Sequence, residues 1–519
     1  MTPNPSDRVS WAEALLLLSV FLIAACGLAY ELAAGALASY LLGDSVLQFS
    51  TVIGSYLFAL GIGSFLSRFV ERQLVAQFLG IELLVAVLGG LLPMALFAAH
   101  SLLPPGAETA FRVLLYAMVL LVGTLVGLEI PLILRILKTH AGGERGSLRE
   151  LVSQVLTFDY LGALLVALAF PLLLVPHLGL VRTGLFFGLM NWGVAVWAWW
   201  MFRGQLRARS WLAAGGALAL AVLLLAWAGA ERLTSWAEQR FYGEPMVLQQ
   251  SSPYQRVVVT HGRTGVKLYL NGNLQFHERD EYRYHEALVH PAMAAHGAPK
   301  RVLVLGGGDG MAVREILKYP SVEQVTLVEL DSQITALFRR MPLLTRLNGD
   351  ALNHPKVRVV HADAYQWLET QPGQGFDVVI ADFPDPSNHA LAKLYSTSFY
   401  QRVMEHLNAS GYLVVQSTSP LVARHSFWTV VDTLEAVGLR TAPYHAHVPS
   451  FGEWGFVLAG QRPWQPPSQL PAGLRFLNAT GLPLMLDFPP DMDRVPGGVN
   501  RLSDPVLVEH FQREWGAVH

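Results

Sequence analysis

Up to about Ala230 the chain is a succession of long Leu/Ala/Val/Gly runs with short polar breaks, and beyond it charges and turn residues return at ordinary frequency. About 20 apolar residues can cross a hydrocarbon core of about 30 Å as a helix. Seven such runs are read: around Leu15 to Ala38, Ser50 to Phe69, Val75 to Ala99, Phe111 to Leu137, Val155 to Val175, Leu178 to Phe202 and Trp211 to Ala230. They predict a multi-pass α-helical membrane domain over residues 1–232. The first run also admits a signal peptide, since Ile23-Ala24-Ala25-Cys26 has the form of a lipoprotein cleavage site. Asp7 and Glu13 against a lone Arg8 make a poor basic leader, so a retained span is expected.

After Phe241 the period shortens. Arg256 to Thr260, Val266 to Leu270 and Leu274 to Phe276 read as strands, with Asn271-Gly272 as the turn between the last two. A small antiparallel β domain over 241–296 is expected. An α/β alternation follows: strand Arg301 to Leu305, a glycine turn, helix Met311 to Lys318 and strand Gln324 to Leu330. Further apolar strands lie at Val357 to Val360, Phe376 to Ala381, Tyr412 to Val415 and Gly455 to Ala459. Strands separated by helices imply a parallel, doubly wound sheet, an α/β Rossmann-like domain over 297–462. A Pro-rich stretch (Pro463, Pro466, Pro467) then opens a tail, 463–519, with an amphipathic Pro505 to Trp515 segment.

Composition agrees with this division. Of 519 residues, 52% are hydrophobic and only 15% charged, too apolar for an ordinary soluble chain. A formal charge of −2 argues against a nucleic-acid partner held by a broad basic surface. The single cysteine, Cys26, excludes an intramolecular disulfide framework, and the tight histidine pair His445 and His447 lacks further ligand spacing, so no metal is expected.

Loop charges bear on orientation. Arg68 and Arg72 follow the second run, Arg135, Lys138, Arg145 and Arg149 the fourth, and Arg203, Arg207 and Arg209 the sixth; the opposite loops hold little beyond Arg112 and Arg182. The positive-inside rule then puts the amino terminus inside and everything after Ala230 outside. Glu31, Glu82, Glu129 and Asp159 lie in or at the edge of these runs. Such acids mark a cation path or a buried pair, or they sit at span ends and bond neighbouring helices.

The soluble half holds the candidate chemistry. The first βα turn reads Val304-Leu305-Gly306-Gly307-Gly308-Asp309-Gly310, where glycines let backbone approach a ligand and the helix start offers free N–H groups. Glu329 ends the next strand, placed to take both hydroxyls of a ribose, and Asp363-Ala364 follows the third, placed for an adenine amino group or for a helix N-cap. Together they describe an adenosyl-sulfonium site rather than the GxGxxG arrangement of dinucleotide binders. The fourth strand ends in Asp382-Phe383-Pro384-Asp385-Pro386, and with Asp309 these acids form a pocket that selects a cation. Asp309 would also repel the carboxylate of ordinary S-adenosylmethionine and tolerate a decarboxylated one.

These residues, with Ser252-Pro253-Tyr254-Gln255, Gln275 and the run Glu278-Arg279-Asp280-Glu281-Tyr282-Arg283-Tyr284-His285-Glu286, closely resemble the polyamine aminopropyltransferases, chiefly spermidine synthase. The resemblance covers about Ser252 to Ala459; the membrane half and the tail (Val499-Asn500-Arg501-Leu502) resemble the membrane-fused branch of that family. It implies that Gln255, Gly306, Gly308, Glu329, Asp363 and Ala364 hold decarboxylated S-adenosylmethionine as co-substrate, with no permanently bound cofactor. Tyr284, His285, Asp309, Asp385 and Gln275 would hold putrescine or a related polyamine, with Asp382 as general base. It further implies a multi-pass protein of the cell (inner) membrane, with the lipid bilayer as partner and a homo-oligomer through the small sheet as one assembly it allows. Its co-substrate would be cytoplasmic, against the loop charges that put the catalytic half outside, so the side of that half stays open between the two. The chain departs from the family at Phe383 and Pro384 and at Pro449-Ser450-Phe451 with Trp454, which makes the distal amine pocket more aromatic. Two rivals remain: a membrane polyamine transporter or sensor with a non-catalytic synthase-like half, and a methyltransferase, against which Asp309 speaks.

Overall fold

The structure, a computed structural model, describes residues 11–42, 45–104, 107–140, 148–204, 206, 209–252, 254–371 and 373–516. Asp7, Arg8, Arg145, Arg207 and Pro253 lie outside the described residues, as do the side chains of Glu13 and Arg209. The chain divides into two compact units, Met1–Glu244 and Pro245–His519.

The first unit is helical: α1 (Trp11–Leu42), α2 (Ser45–Leu66), α3 (Leu74–Leu102), α4 (Glu108–His140), α5 (Leu148–Ala169), α6 (Val175–Phe202) and α7 (Arg209–Tyr242). Among the described residues, six stretches are long and apolar enough to cross a membrane. The fifth and sixth runs of the sequence join into one of them, Arg149–Phe202, of 54 residues. At 1.5 Å per residue that is roughly 80 Å, more than twice a hydrocarbon core. The stretch has room for two passes, and its continuity is broken by a π-helical turn at Phe170–Leu174 and by Gly179, whose φ of 72° and ψ of 170° are not helical. The last helix outruns its apolar run: α7 continues past Ala230 through Glu231, Arg232 and Arg240 to Tyr242, because backbone bonding does not depend on apolar side chains.

Lipid supplies no hydrophobic drive between helices, so close packing of small residues has to hold them together. Gly63 of α2 faces Gly127 of α4, where a Cβ on Gly63 would stand 2.8 Å from the Gly127 Cα. Gly89 of α3 admits the Tyr30 ring of α1, which a Cβ there would meet at 2.6 Å.

The second unit opens with an antiparallel sheet, β1 (Met246–Ser251), β2 (Arg256–Gly262), β3 (Gly265–Leu270) and β4 (Asn273–His277), in that order. Asn271 and Gly272, with φ of 50° and 84°, make the two-residue turn read from the sequence. Strand β1, Met246-Val247-Leu248-Gln249-Gln250-Ser251, is absent from the sequence reading because its three apolar residues are contiguous at one end and do not alternate with polar ones.

The larger sheet has seven strands: β5 (Arg301–Gly306), β6 (Gln324–Glu329), β7 (Val357–His361), β8 (Phe376–Asp382), β9 (Leu407–Gln416), β10 (Arg440–Val448) and β11 (Gly452–Gly460). Their order is β10-β11-β9-β8-β5-β6-β7. Strands β5 to β9 pair in parallel, but β11 pairs antiparallel with both β9 and β10. The sheet is therefore mixed rather than wholly parallel: β10 and β11 form a hairpin, and a hairpin cannot be parallel. Among the helices on this sheet are α8 (Glu281–His296), α9 (Met311–Ile316), α10 (Ser332–Arg340), α11 (Ala364–Thr370), α12 (Thr397–His406) and α13 (Arg424–Ala436). Val302, Val304, Val378 and Ile380 face one apolar cluster and Leu303, Leu305, Val379 and Ala381 the other, the alternation of a strand buried on both faces.

The tail is tied down throughout. The Glu286 carboxylate accepts the N–H groups of Arg475, Phe476 and Leu477, and Asn500, buried, donates to the carbonyls of Ala392 and Tyr395. The amphipathic segment is helix α14 (Val506–Gly516), whose Glu514 accepts from the backbone of His425 and Ser426 at the start of α13.

Candidate active site

Parallel pairing of β5 with β8 sets Gly306 level with Asp382, so the glycine turn and the acidic motif leave the sheet side by side at its carboxyl edge. The turn is possible because Gly306, Gly307 and Gly310 take φ of 79°, 64° and 77°. The Gly307 N–H donates to the Asp382 carbonyl at 3.1 Å, and a Cβ on Gly307 would stand 2.9 Å from the Asp382 carboxylate.

Asp382 is half-buried, and the Tyr284 hydroxyl of α8 donates to its Oδ1 at 2.6 Å. Burial pushes its carboxyl up to about 6; the His285 charge opposes the rise, Asp309 adds to it and the Tyr284 bond opposes it. His285, also on α8, is buried, with Nδ1 at 2.8 Å from the Glu281 carboxylate and 2.9 Å from the Glu281 carbonyl. Burial works against its cation, yet the bond to Glu281 and the charges of Glu281, Asp309 and Asp382 hold it up at about 9. Glu281 is itself gripped by the Arg314 guanidinium at 2.9 and 3.1 Å, and Arg314 reaches on to Glu315, whose other oxygen meets His290 at 2.9 Å. An imidazolium thus stands beside two aspartates, backed by a buried ion-pair chain. Periodicity gave no sign of that chain, since Arg314 and Glu315 read as ordinary helix polarity.

Asp385 is held by Gln416 Nε2 at 3.4 Å and Thr418 Oγ1 at 3.3 Å, and burial pushes it up to about 7 against those two bonds. Each holder is tied in turn by an indole: Trp454 Nε1 donates to Gln416 Oε1 at 3.2 Å and Trp515 Nε1 to Thr418 Oγ1 at 3.3 Å. Thr418 takes a φ of 56°, in the region side chains avoid. Sequence reasoning singled out neither Gln416 nor Thr418, and Trp515 only as the end of an amphipathic segment. The Tyr284 and Phe451 rings lie 6.3 Å apart and those of Phe451 and Trp454 5.1 Å, so the aromatic residues expected at the distal end of the amine pocket do form one group.

The nucleoside side is built from β6 and β7. Glu329 ends β6, half-buried, and burial pushes it up to about 7, opposed by the Asp331 N–H it accepts at 2.8 Å. Gly308 lies against it, so that a Cβ there would stand 2.8 Å from the carboxylate. Gln255 points to Asp331, donating at 2.9 Å, and Ser252 does the same at 2.7 Å; the Ser252 to Gln255 loop is thereby fastened to the end of β6. Asp363 is the N-cap of α11, accepting from Tyr365 and Gln366, and its other oxygen meets Lys393 at 2.7 Å. Those backbone N–H groups and Lys393 hold its carboxyl below the usual range despite burial. Ala364 is buried at the start of the same helix. Asp309 accepts the Met311 N–H at 2.8 Å through one oxygen. Gln275 stands apart on β4, its amide turned to the Asn273 carbonyl of its own strand. His445 and His447 both bond Glu453, at 2.9 and 3.0 Å.

Residues 281–464 match the family of the spermine/spermidine synthase domain. Polyamine aminopropyltransferase 1 of Ralstonia nicotianae is 51% identical over 524 residues, covering 100% of this chain and 98% of that one. The polyamine aminopropyltransferase of Leptospira interrogans is 48% identical over 98% of this chain and 99% of its own length. A crystal structure of spermidine synthase in complex with the transition state analogue AdoDATO covers 47% of this chain and 85% of that one at 26% identity and a TM-score of 0.44. At about half identity from end to end with such relatives, the chain belongs to the polyamine aminopropyltransferase family.

Proposed function

We propose that this chain is an aminopropyltransferase anchored in the cell (inner) membrane, which transfers the aminopropyl group of decarboxylated S-adenosylmethionine to putrescine and releases spermidine and methylthioadenosine. The observation that carries the reading is the Asp382 carboxylate, set beside the glycine turn, bonded by Tyr284 and flanked by Asp309, His285 and Asp385.

Both reacting partners are cations, and a primary ammonium with a pKa near 10 is no nucleophile until it loses a proton. In the proposed step the amine nitrogen attacks the methylene next to sulfonium, the C–S bond breaks with its electrons going to sulfur, and Asp382 takes the amine proton. A carboxyl titrating at about 6 is mostly ionised at neutral pH yet more basic than an exposed aspartate. Asp385 and the aromatic group of Tyr284, Phe451 and Trp454 would hold the far end of the diamine. Glu329 would take the ribose hydroxyls. Asp363, already engaged with Lys393 and the α11 backbone, would serve the adenine pocket as a fixed N-cap more than as a free acceptor. Gln255 would act through Asp331, while the orientation of Gln275 gives its proposed contact with the amine no support.

In domain terms, residues 1–232 would be the membrane part, 241–296 the small β domain, 297–462 the catalytic domain and 463–519 a tail that closes on it. A reading in which the soluble half only binds an amine accounts for the acidity of the pocket but leaves the pairing of Asp382 with the glycine turn of a donor site without a use. Asp382→Asn should abolish turnover in a methylthioadenosine-release assay while donor binding by calorimetry stays within about threefold. Normal turnover in that variant removes the base assignment.

A further inference from the structure

Two of the acids in the helical unit differ from the other two. Asp159 is half-buried and Glu31 is 8% exposed, but Glu82 of α3 and Glu129 of α4 are wholly buried. Their carboxyl groups stand within hydrogen-bond reach of one another, and among the described residues no other group bonds any of the four oxygens. No salt bridge reaches either acid among the described residues.

Other buried polar atoms converge on the pair. Gly184 packs on Pro93, and Gly188 on Ala86 and Gly90; this antiparallel register of α6 on α3 carries Asn191 to about Ala86, one helical turn from Glu82. Asn191 is wholly buried with neither amide atom bonded. The Tyr30 hydroxyl of α1, equally buried and without a partner, lies in the field of both acids. Cys26, one turn earlier on α1, donates its thiol to the Phe187 carbonyl of α6 at 3.5 Å, one turn before Asn191.

Removing two adjacent carboxyls from water costs several kcal/mol per ion unless positive charge and donors meet them. A shared proton supplies one donor bond and leaves the remaining oxygens bare. A primary ammonium supplies one positive charge and three donors with no acceptor of its own, which matches a cluster rich in acceptors and poor in donors. We propose that Glu82 and Glu129, with Tyr30 and Asn191, bind the primary ammonium group of an aliphatic amine inside the membrane half, as a second amine site separate from the catalytic one.

The test uses the full chain in lipid nanodiscs and radiolabelled putrescine as probe. Equilibrium binding should count two sites per chain in the unaltered protein and one in the Glu82→Gln/Glu129→Gln double variant, whose aminopropyl transfer should stay within twofold. Asp382→Asn/Asp385→Asn should lose the other site, so failure of the catalytic reading and failure of this one give different counts. In the unaltered protein, saturating putrescine should slow labelling of Glu82 or Glu129 by an apolar carbodiimide at least tenfold, a readout that does not depend on the variant folding. One site in both proteins, or labelling indifferent to putrescine, overturns the proposal and leaves the pair holding a proton only.

Discussion

Glu281→Gln isolates the charge of Glu281 from its shape. The amide oxygen can still accept from His285 Nδ1, and Arg314 keeps its bond to Glu315, so the local fold should survive. What goes is the negative charge that holds His285 at about 9 rather than its ordinary 6.5. The full difference, to which the Asp309 and Asp382 charges also contribute, corresponds to about 3 kcal/mol of folding stability, so the loss of Glu281 removes part of it. Since the folded-state value is raised, the contribution is complete below pH 6.5 and disappears as pH rises through 9. The stability gap between the two proteins should therefore be widest near pH 6 and shrink above pH 9 to a constant remainder from the lost Arg314–Glu281 ion pair, read by chemical denaturation. Catalysis should respond in a second way. The imidazolium is the larger of the two influences that keep Asp382 from rising further, and an opposite charge at such a site is worth about 1 pH unit or more. As His285 loses its charge at lower pH in the variant, the acid limb of kcat/KM, set by ionisation of the base in the free enzyme, should move upward from about 6. A pH–rate profile measured at subsaturating donor and putrescine checks this. An acid limb within 0.2 of the original, in a protein whose stability gap behaves as described, refutes the idea that His285 tunes the base.

Two further perturbations probe the walls of the site. Trp515→Phe keeps the ring but removes the N–H that orients Thr418 under Asp385; the loss of one hydrogen bond, about 1 kcal/mol, should raise KM for putrescine about fivefold with KM for the donor unchanged, in steady-state kinetics. Gly308→Ala puts a Cβ 2.8 Å from the Glu329 carboxylate and should weaken donor binding at least tenfold by calorimetry, with the melting temperature shifted by only a few degrees.

The sequence made legible whatever follows from period and punctuation. Apolar runs located the helices, alternation located β2 to β4, and the glycine turn with the Asp382 motif located the sheet edge. It hid what depends on pairing between distant segments. Strand β10, Arg440–Val448, carries Pro443, His445 and His447 among its apolar residues, and it is a strand because β11 covers it, not because of its own composition. Gln416 and Thr418 lie beside Asp385 only through the path of β9 past it, and the bond from the Gln255 carboxamide to Asp331 joins segments too far apart in the chain to be read from its order. The N-cap reading of Asp363, by contrast, was available from its place before a helix, and that is the use the backbone makes of it.

The two units meet the same electrostatic problem in different ways. In the soluble unit Asp382, Asp385 and Glu329 are all pushed up by burial, yet each retains a donor from the protein: a tyrosine hydroxyl, a glutamine with a threonine, and a backbone N–H. Those donors are too few to satisfy the carboxylates and too fixed to follow a substrate, so part of the compensating charge has to arrive with the amine or the sulfonium. This is how an acidic pocket turns its own instability into selectivity for cations. In the helical unit Glu82 and Glu129 carry the logic further, since no protein donor outside the pair reaches their carboxyl oxygens. A buried pair with so little internal compensation holds either a proton or an external cation, and the binding and labelling tests separate the two. If an ammonium occupies it, putrescine should raise the melting temperature of the unaltered protein more than that of the Glu82→Gln/Glu129→Gln variant, since a ligand bound to the folded state alone stabilises it.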